Sequence, residues 1–228
     1  MRWLALVLLI GCSDGDDATL PGGSCSDSPA DSTGQGTYYD ADGTGNCSFD
    51  ASPGDLNVAA MNAVDYHDAA WCGACVEVTG PNDTKVTVRI VDQCPECAKG
   101  DLDLSPQAFS MLSPLAAGRI PITWHEVACP VTGPIAYHFK DGANAYWTAI
   151  QIRNHRYPIA SVEAKDGSGT YKAISRLDYN YFVEESGLGP GPYTLRITDT
   201  HGHTVEDTGI ALGDNVTRTG ASQLAACE

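Results

Sequence analysis

Two acids in a short alternating segment carry the first chemical signal. In Gly100-Asp-Leu-Asp-Leu-Ser-Pro106, strand alternation puts Leu102 and Leu104 on one face and Asp101 and Asp103 on the other. A carboxyl group held above an apolar floor loses hydration of its charged form. Its pKa rises, and it becomes able to donate a hydrogen bond or a proton. The alternative for Asp103 is a helix-entry aspartate stabilised by the dipole of the helix that Ser105-Pro106 begins. Asp92, at the end of the run Val86–Val91, is a second acid of interest, and its alternative is a turn residue capping the Cys94–Cys97 loop. The third signal is aromatic. On a regular strand Trp147 shares a face with Ala149, Gln151 and Arg153, and Tyr146 with Thr148, Ile150 and Ile152. Trp147 is then the surface residue, and Tyr146 joins it only if the strand starts irregularly.

Nine cysteines set the compartment. Cys12 stands apart, after Met1-Arg2-Trp3 and the apolar run Leu4–Ile10. That run is too short to span a bilayer and reads as the core of an export signal over 1–11. Leu9-Ile10-Gly11-Cys12 resembles a lipobox, which predicts lipidation at Cys12; the alternative is an ordinary signal peptide. The remaining eight cysteines predict four disulfides in an exported chain, with about a hundred pairings open to spacing alone. Cys72-Gly-Ala-Cys75 and Cys94-Pro-Glu-Cys97 would suggest zinc in a reducing compartment, but export favours disulfides and no metal is expected.

The elements that must position these residues are mostly strands. Residues 12–35 read as a tether, rich in Gly, Ser and Asp, with little to bury. From 36 to 130, Cys75–Thr79 and Lys85–Ile90 alternate around Gly80-Pro-Asn-Asp83, a hairpin signature. Ser105 caps a short helix with Pro106 at its first position, and Ile120–Val127 closes the block as a strand that Pro121 marks as an edge. Cys129-Pro-Val-Thr-Gly-Pro134 reads as a hinge. From 131 to 228, strands are expected at 146–153, 160–165, 170–174, 193–199 and 203–210, a spacing that predicts a β-sandwich. The formal charge is −16 overall, −9 in residues 36–130 and −3 in residues 131–228. Such a surface repels nucleic acids and anionic membranes.

Several of these segments together resemble a known family. Gly36-Thr-Tyr-Tyr39, Val91-Asp92 and Gly100–Pro106 with Phe109 resemble the double-psi β-barrel domain of expansins. Tyr146-Trp-Thr-Ala-Ile-Gln-Ile-Arg-Asn-His-Arg-Tyr-Pro158 and Leu177-Asp-Tyr-Asn180 resemble the expansin carbohydrate-binding module. The barrel motif alone is shared with fungal loosenins, rare lipoprotein A and family-45 endoglucanases. The resemblance spans about residues 36–212. It implies an all-β chain, a six-stranded double-psi β-barrel followed by an immunoglobulin-like β-sandwich, that loosens cell walls without hydrolysis and uses no cofactor.

By the same resemblance Asp103 is the key groove acid, with Asp92 and Thr37 as groove partners. Tyr146, Trp147 and Tyr179 would stack on successive sugar rings, with Lys140 beside them. The aromatic that bacterial members often carry two residues after the Asp92 position is Cys94 here, and Tyr38 or Tyr39 is the candidate replacement. The pairings implied are Cys47–Cys72, Cys75–Cys129 and Cys94–Cys97, leaving Cys25 with Cys227. An inverting glycosidase would need a second carboxylate to activate water, and Asp40 is the candidate base. The rival readings are an endoglucanase, a peptidoglycan lytic transglycosylase acting through Asp103, and a carbohydrate-binding adhesin. The expected partner is a polysaccharide, cellulose or another wall glucan or peptidoglycan, and the acidic charge weighs against pectin. A monomer is expected, exported as an outer-membrane or cell-surface lipoprotein or else secreted, touching membrane only through its lipid.

Overall fold

The computed structural model describes residues 30–227. The expected export signal, Cys12 and Cys25 lie outside the described residues. Six strands close the first barrel: β1 Ser32–Tyr38, β2 Val58–Asn62, β3 Cys75–Thr79, β4 Lys85–Cys94, β5 Leu102–Leu104 and β6 Ile120–Val127, in the order β1-β5-β2-β4-β3-β6. Two helices lie between them, α1 Ala63–Tyr66 and α2 Pro106–Leu112. The pairs β1/β5 and β2/β4 run parallel, which no hairpin can produce, and the remaining pairs are antiparallel. Alternation drives the closure. Val76, Val78, Val86, Val88, Ile90, Leu102, Leu104 and Trp124 point inward with Phe109 from α2, all nearly or fully buried.

β1 begins at Ser32, inside the segment expected to be a tether. That segment has few apolar residues to read, and its order comes from backbone pairing with β6 instead. Close approach matters there too. A Cβ on Gly34 would fall 2.3 Å from the Gly100 carbonyl carbon, and one on Gly100, at φ +86°, would fall 2.2 Å from the Thr33 oxygen. Pro121 does not mark a free edge, because β6 has β1 on one side and β3 on the other. It is tolerated because β3 reaches only as far as Thr123, leaving Pro121 paired with Gln35 alone.

The second half is one eight-stranded sheet folded over. Its strands are β7 Ala136–Phe139, β8 Thr148–Arg153, β9 Ile159–Lys165, β10 Tyr171–Arg176, β11 Phe182–Glu184, β12 Tyr193–Asp199, β13 Thr204–Ile210 and β14 Val216–Thr219. The order is β13-β12-β9-β10-β11-β8-β7-β14. Residues 171–174 of β10 pair with β9, whereas Ser175 and Arg176 pair with β11, so β10 carries the chain from one layer to the other. A single core joins the layers, with Tyr137, Phe139, Ile150 and Ile152 against Val162, Leu195, Ile197 and Val205. The Tyr137 hydroxyl donates to buried Asp207 across that core at 2.8 Å.

The disulfides Cys47–Cys72, Cys75–Cys129 and Cys94–Cys97 are present, so both CxxC motifs are committed to sulfur cross-links. Cys227 is also disulfide-bonded. The expected hinge is anchored at Cys129, by its bond to Cys75 and by its N–H donating to the Arg156 oxygen at 2.9 Å. The domains also meet through Gln151 Nε2 and Asn180 Nδ2 on the Cys47 oxygen (2.8 and 3.2 Å), Arg176 on the Ala69 oxygen (3.1 Å) and an Arg153–Asp50 ion pair at 2.6 Å.

The Gly34–Gly100 contact makes a stability prediction. Gly100→Ala should cost roughly 2 kcal/mol or more in denaturant unfolding, through clash and positive-φ strain. Gly54→Ala, with open space around it, should stay within about 0.5 kcal/mol. Equal effects at the two positions would contradict the packing described.

Candidate functional site

Strand registers bring the groove residues into one row. Thr37 of β1 is opposite Asp103 of β5, Asp103 is opposite Ala60 of β2, and Ala60 is opposite Asp92 of β4. The last match exists because the β2/β4 register shifts between Ala59 and Ala60. The two acids therefore stand two strand spacings apart, about 10 Å between backbones, with only a methyl group between them. Leu102 and Leu104 are fully buried, which forces Asp103 to the outer face as alternation required.

Asp103 is half-buried. Thr37 Oγ1 donates to its Oδ1 at 2.5 Å. Burial pushes the Asp103 pKa up, the Thr37 hydrogen bond opposes that shift, and the charges acting on it most strongly are those of Glu96, Arg119 and Asp92. Asp40 is exposed beyond the end of β1 and is not among them. Asp92 is held as an acceptor: its Oδ1 receives the N–H groups of Asn46 (2.6 Å) and Gln93 (2.8 Å).

Cys94 is buried in its disulfide and offers no ring to the groove. Tyr38, the last residue of β1, and Tyr39 just beyond it divide as parity requires. Tyr38 turns to Phe109, with ring centroids 5.0 Å apart. Tyr39 lies on the Thr37 side, packed on Ala41, Val58 and Val91. Its hydroxyl is buried without a hydrogen-bond partner. Burial first, then the charges of Asp92 and Asp103, push its pKa up.

The aromatic platform lies on the outer face of β8 and β11. Trp147 and Tyr179 pack on Ala149, Tyr181 and Val183. Lys140 Nζ stands 5.2 Å from the Tyr181 ring centroid and 6.0 Å from that of Tyr179. β8 starts at Thr148, two residues later than the alternation suggested. Tyr146 and Trp147 lie instead in a turn, where the Asn144 side chain accepts the Tyr146 N–H at 2.8 Å and Asn144 bridges to Trp147. That irregular start frees Tyr146 from the inward face, leaving it 84% exposed. The Arg153–Pro158 block serves the domain junction: Arg153 pairs with Asp50, and His155 is fully enclosed, its pKa pushed down to about 4 by burial.

Sequence reasoning missed the loop that joins platform to barrel. Asn46 gives its N–H to Asp92 and its Nδ2 to the Asp178 oxygen (2.8 Å) and the Tyr66 hydroxyl (3.0 Å). Tyr66 also donates to the Asp178 oxygen at 3.1 Å, one residue before Tyr179. Nothing in Gly45-Asn46-Cys47 announces this, apart from a small residue beside a cysteine.

The chain is similar to known proteins along most of its length. The family described as lytic transglycolase matches residues 31–124. Expansin-YoaJ of Bacillus subtilis is 41% identical over 165 residues, 70% of this chain and 69% of that protein. The crystal structure of the Clavibacter michiganensis expansin superposes with a TM-score of 0.79 at 34% identity, over 85% of this chain and 98% of that one. A mutant of the same expansin, solved in complex with cellohexaose, matches equally well.

The pKa shift at Asp103 yields two testable signs. Thr37→Val removes the hydrogen bond that favours the carboxylate, so the Asp103 titration seen by carboxyl carbon NMR should move further up; Asp92→Asn removes a repelling charge and should move it down. A raised folded pKa stabilises the fold below the unfolded carboxyl value, and that stability is lost as pH rises through the folded value. Asp103→Asn should flatten this pH dependence. A titration at or below the ordinary aspartate value would contradict the assigned environment.

Proposed function

Since the chain belongs to the expansin family, we propose that it loosens cell-wall polysaccharide without hydrolysis, holding a cellulose-like β-glucan chain across both domains. The observation that carries this reading is the row Thr37–Asp103–Ala60–Asp92, joined through Asn46 to the turn bearing Tyr179. Trp147, Tyr179 and exposed Tyr146 present flat apolar surface to the C–H faces of successive sugar rings. Lys140 donates beside them. In the barrel, Asp103 with its raised pKa donates to a glycosidic or hydroxyl oxygen, and Asp92 accepts from a sugar hydroxyl. Together they compete with the hydrogen bonds that hold one glucan chain to the next. Bond cleavage by inversion needs a base that activates water. Asp40, the candidate base, stands outside the row.

A second reading is kept by the match to the family described as lytic transglycolase, because Asp103 alone could serve that chemistry. The three described disulfides support an oxidising, extracytoplasmic setting. Within it, Cys12 is proposed as a lipid anchor and the protein as a monomer.

Five variants test these assignments. Trp147→Ala and Tyr179→Ala should each weaken cellulose pull-down by roughly 1–3 kcal/mol if stacking on sugar resembles stacking on other flat ligands. Asp103→Asn should abolish weakening of filter paper while pull-down persists, and wild type should release no reducing ends. Reducing ends that vanish in Asp40→Asn would identify a hydrolase, and anhydro-sugar ends from peptidoglycan that depend on Asp103 would identify a lytic transglycosylase. Cys12→Ala should move the protein from the membrane fraction to the soluble one; a wild type already soluble would exclude the anchor.

A further inference from the structure

Several contacts hold the two domains together, but they differ in what they touch. Gln151 and Asn180 bond the Cys47 oxygen, Arg153 pairs with Asp50, and His201 meets Glu126 at 2.5 Å. Asn180 directly follows Tyr179, but its partner is the Cys47 oxygen, and none of these contacts reaches a groove acid. Asn46 differs, because it bonds to both halves. Its backbone N–H donates to Asp92 Oδ1, and its side chain donates to the oxygen of Asp178, the residue before Tyr179.

The loop is shaped for that contact. A Cβ on Gly45 would fall 2.4 Å from Asp92 Cβ and Cγ, so only glycine lets the backbone come close enough for the Asn46 N–H to reach the carboxylate. On the other side, the Cys47–Cys72 disulfide ties the loop to the segment after α1. Tyr66 duplicates the Asn46 contact by donating to the same Asp178 oxygen. Two donors from the barrel thus converge on one carbonyl of the Tyr179 turn.

We propose that Asn46 is a positioning residue that keeps the acid row and the aromatic platform in register, so that one glucan chain engages both. The proposal rests on the groove reading given above. A bound chain that touches both halves gains from the second contact as an intramolecular event, and that gain vanishes when the halves are misaligned. Asn46 therefore controls the dependence of affinity on ligand length. A short oligosaccharide covers the platform alone and does not sense the register.

The test is calorimetric binding of cellotriose and cellohexaose to the full chain, with unfolding temperature measured alongside. Wild type should bind cellohexaose more tightly than cellotriose. Asn46→Ala should lose most of that preference, by about tenfold, with cellotriose affinity unchanged. Tyr66→Phe, which keeps the ring and removes one of the two donors, should lose a smaller part of it. If Asn46→Ala folds and keeps the full preference, the proposal is overturned. It is also overturned if both ligands weaken equally, because that marks a merely structural residue. Should Asn46→Ala not fold, the same two outcomes are read from Tyr66→Phe. A wild type with no preference would instead remove the groove reading itself, while impaired variants beside a length-selective wild type bear only on Asn46.

Discussion

The carbonyl oxygen of Cys47 accepts two hydrogen bonds from buried amides of the second domain, Gln151 and Asn180. An amide enclosed without partners costs several kcal/mol, so the interface can bury these side chains only because the Cys47 oxygen replaces the water they give up. The loop that presents the carbonyl is fixed in turn by the Cys47–Cys72 cross-link and by Gly45 against Asp92. Loop, acid and sandwich face therefore share one backbone segment. The position of the aromatic platform relative to the barrel acids follows from it.

The groove divides its chemistry by environment. Asp103 sits half-buried with one hydroxyl donor and a raised pKa, whereas Asp92 faces two backbone N–H groups. One is suited to donate and the other to accept. The small side chain of Ala60 leaves the space between them open. The platform contributes area rather than charge. The negative charge concentrated in residues 36–130 leaves a neutral polymer as the natural occupant.

Legibility in the sequence followed the physics of each element. The β3–β4 hairpin, β6 and β12 were readable because one face of each is buried and the other is not, which produces alternation. β2 was not, because every residue of Val58–Asn62 is buried and the period disappears. β7, β11 and β14 were missed because each has only three or four residues and none alternates apolar and charged side chains as Leu102-Asp103-Leu104 of β5 does. The start of β1 was hidden because Gly34 and Gly36 contribute backbone, not side chains. Among the site residues, Asp103 followed from alternation, while Asp92, Thr37 and the platform needed the family resemblance. That Asp92 and Asp103 share one row depends on a register shift between β2 and β4, which leaves no mark in composition or spacing. Asn46 was invisible for a related reason, since its partners Tyr66, Asp92 and Asp178 are all distant in the chain.

The central claim is that one glucan chain lies along both domains, and a crystal structure of this protein with cellohexaose tests it most directly. The account predicts sugar rings stacked on Trp147 and Tyr179, with the chain running on past Asn46 so that its oxygens meet Asp92 and Asp103. An oligosaccharide seated elsewhere, such as the cleft of about 530 Å³ behind β4 lined by Phe49 and Arg89, with the acid row untouched, would contradict it.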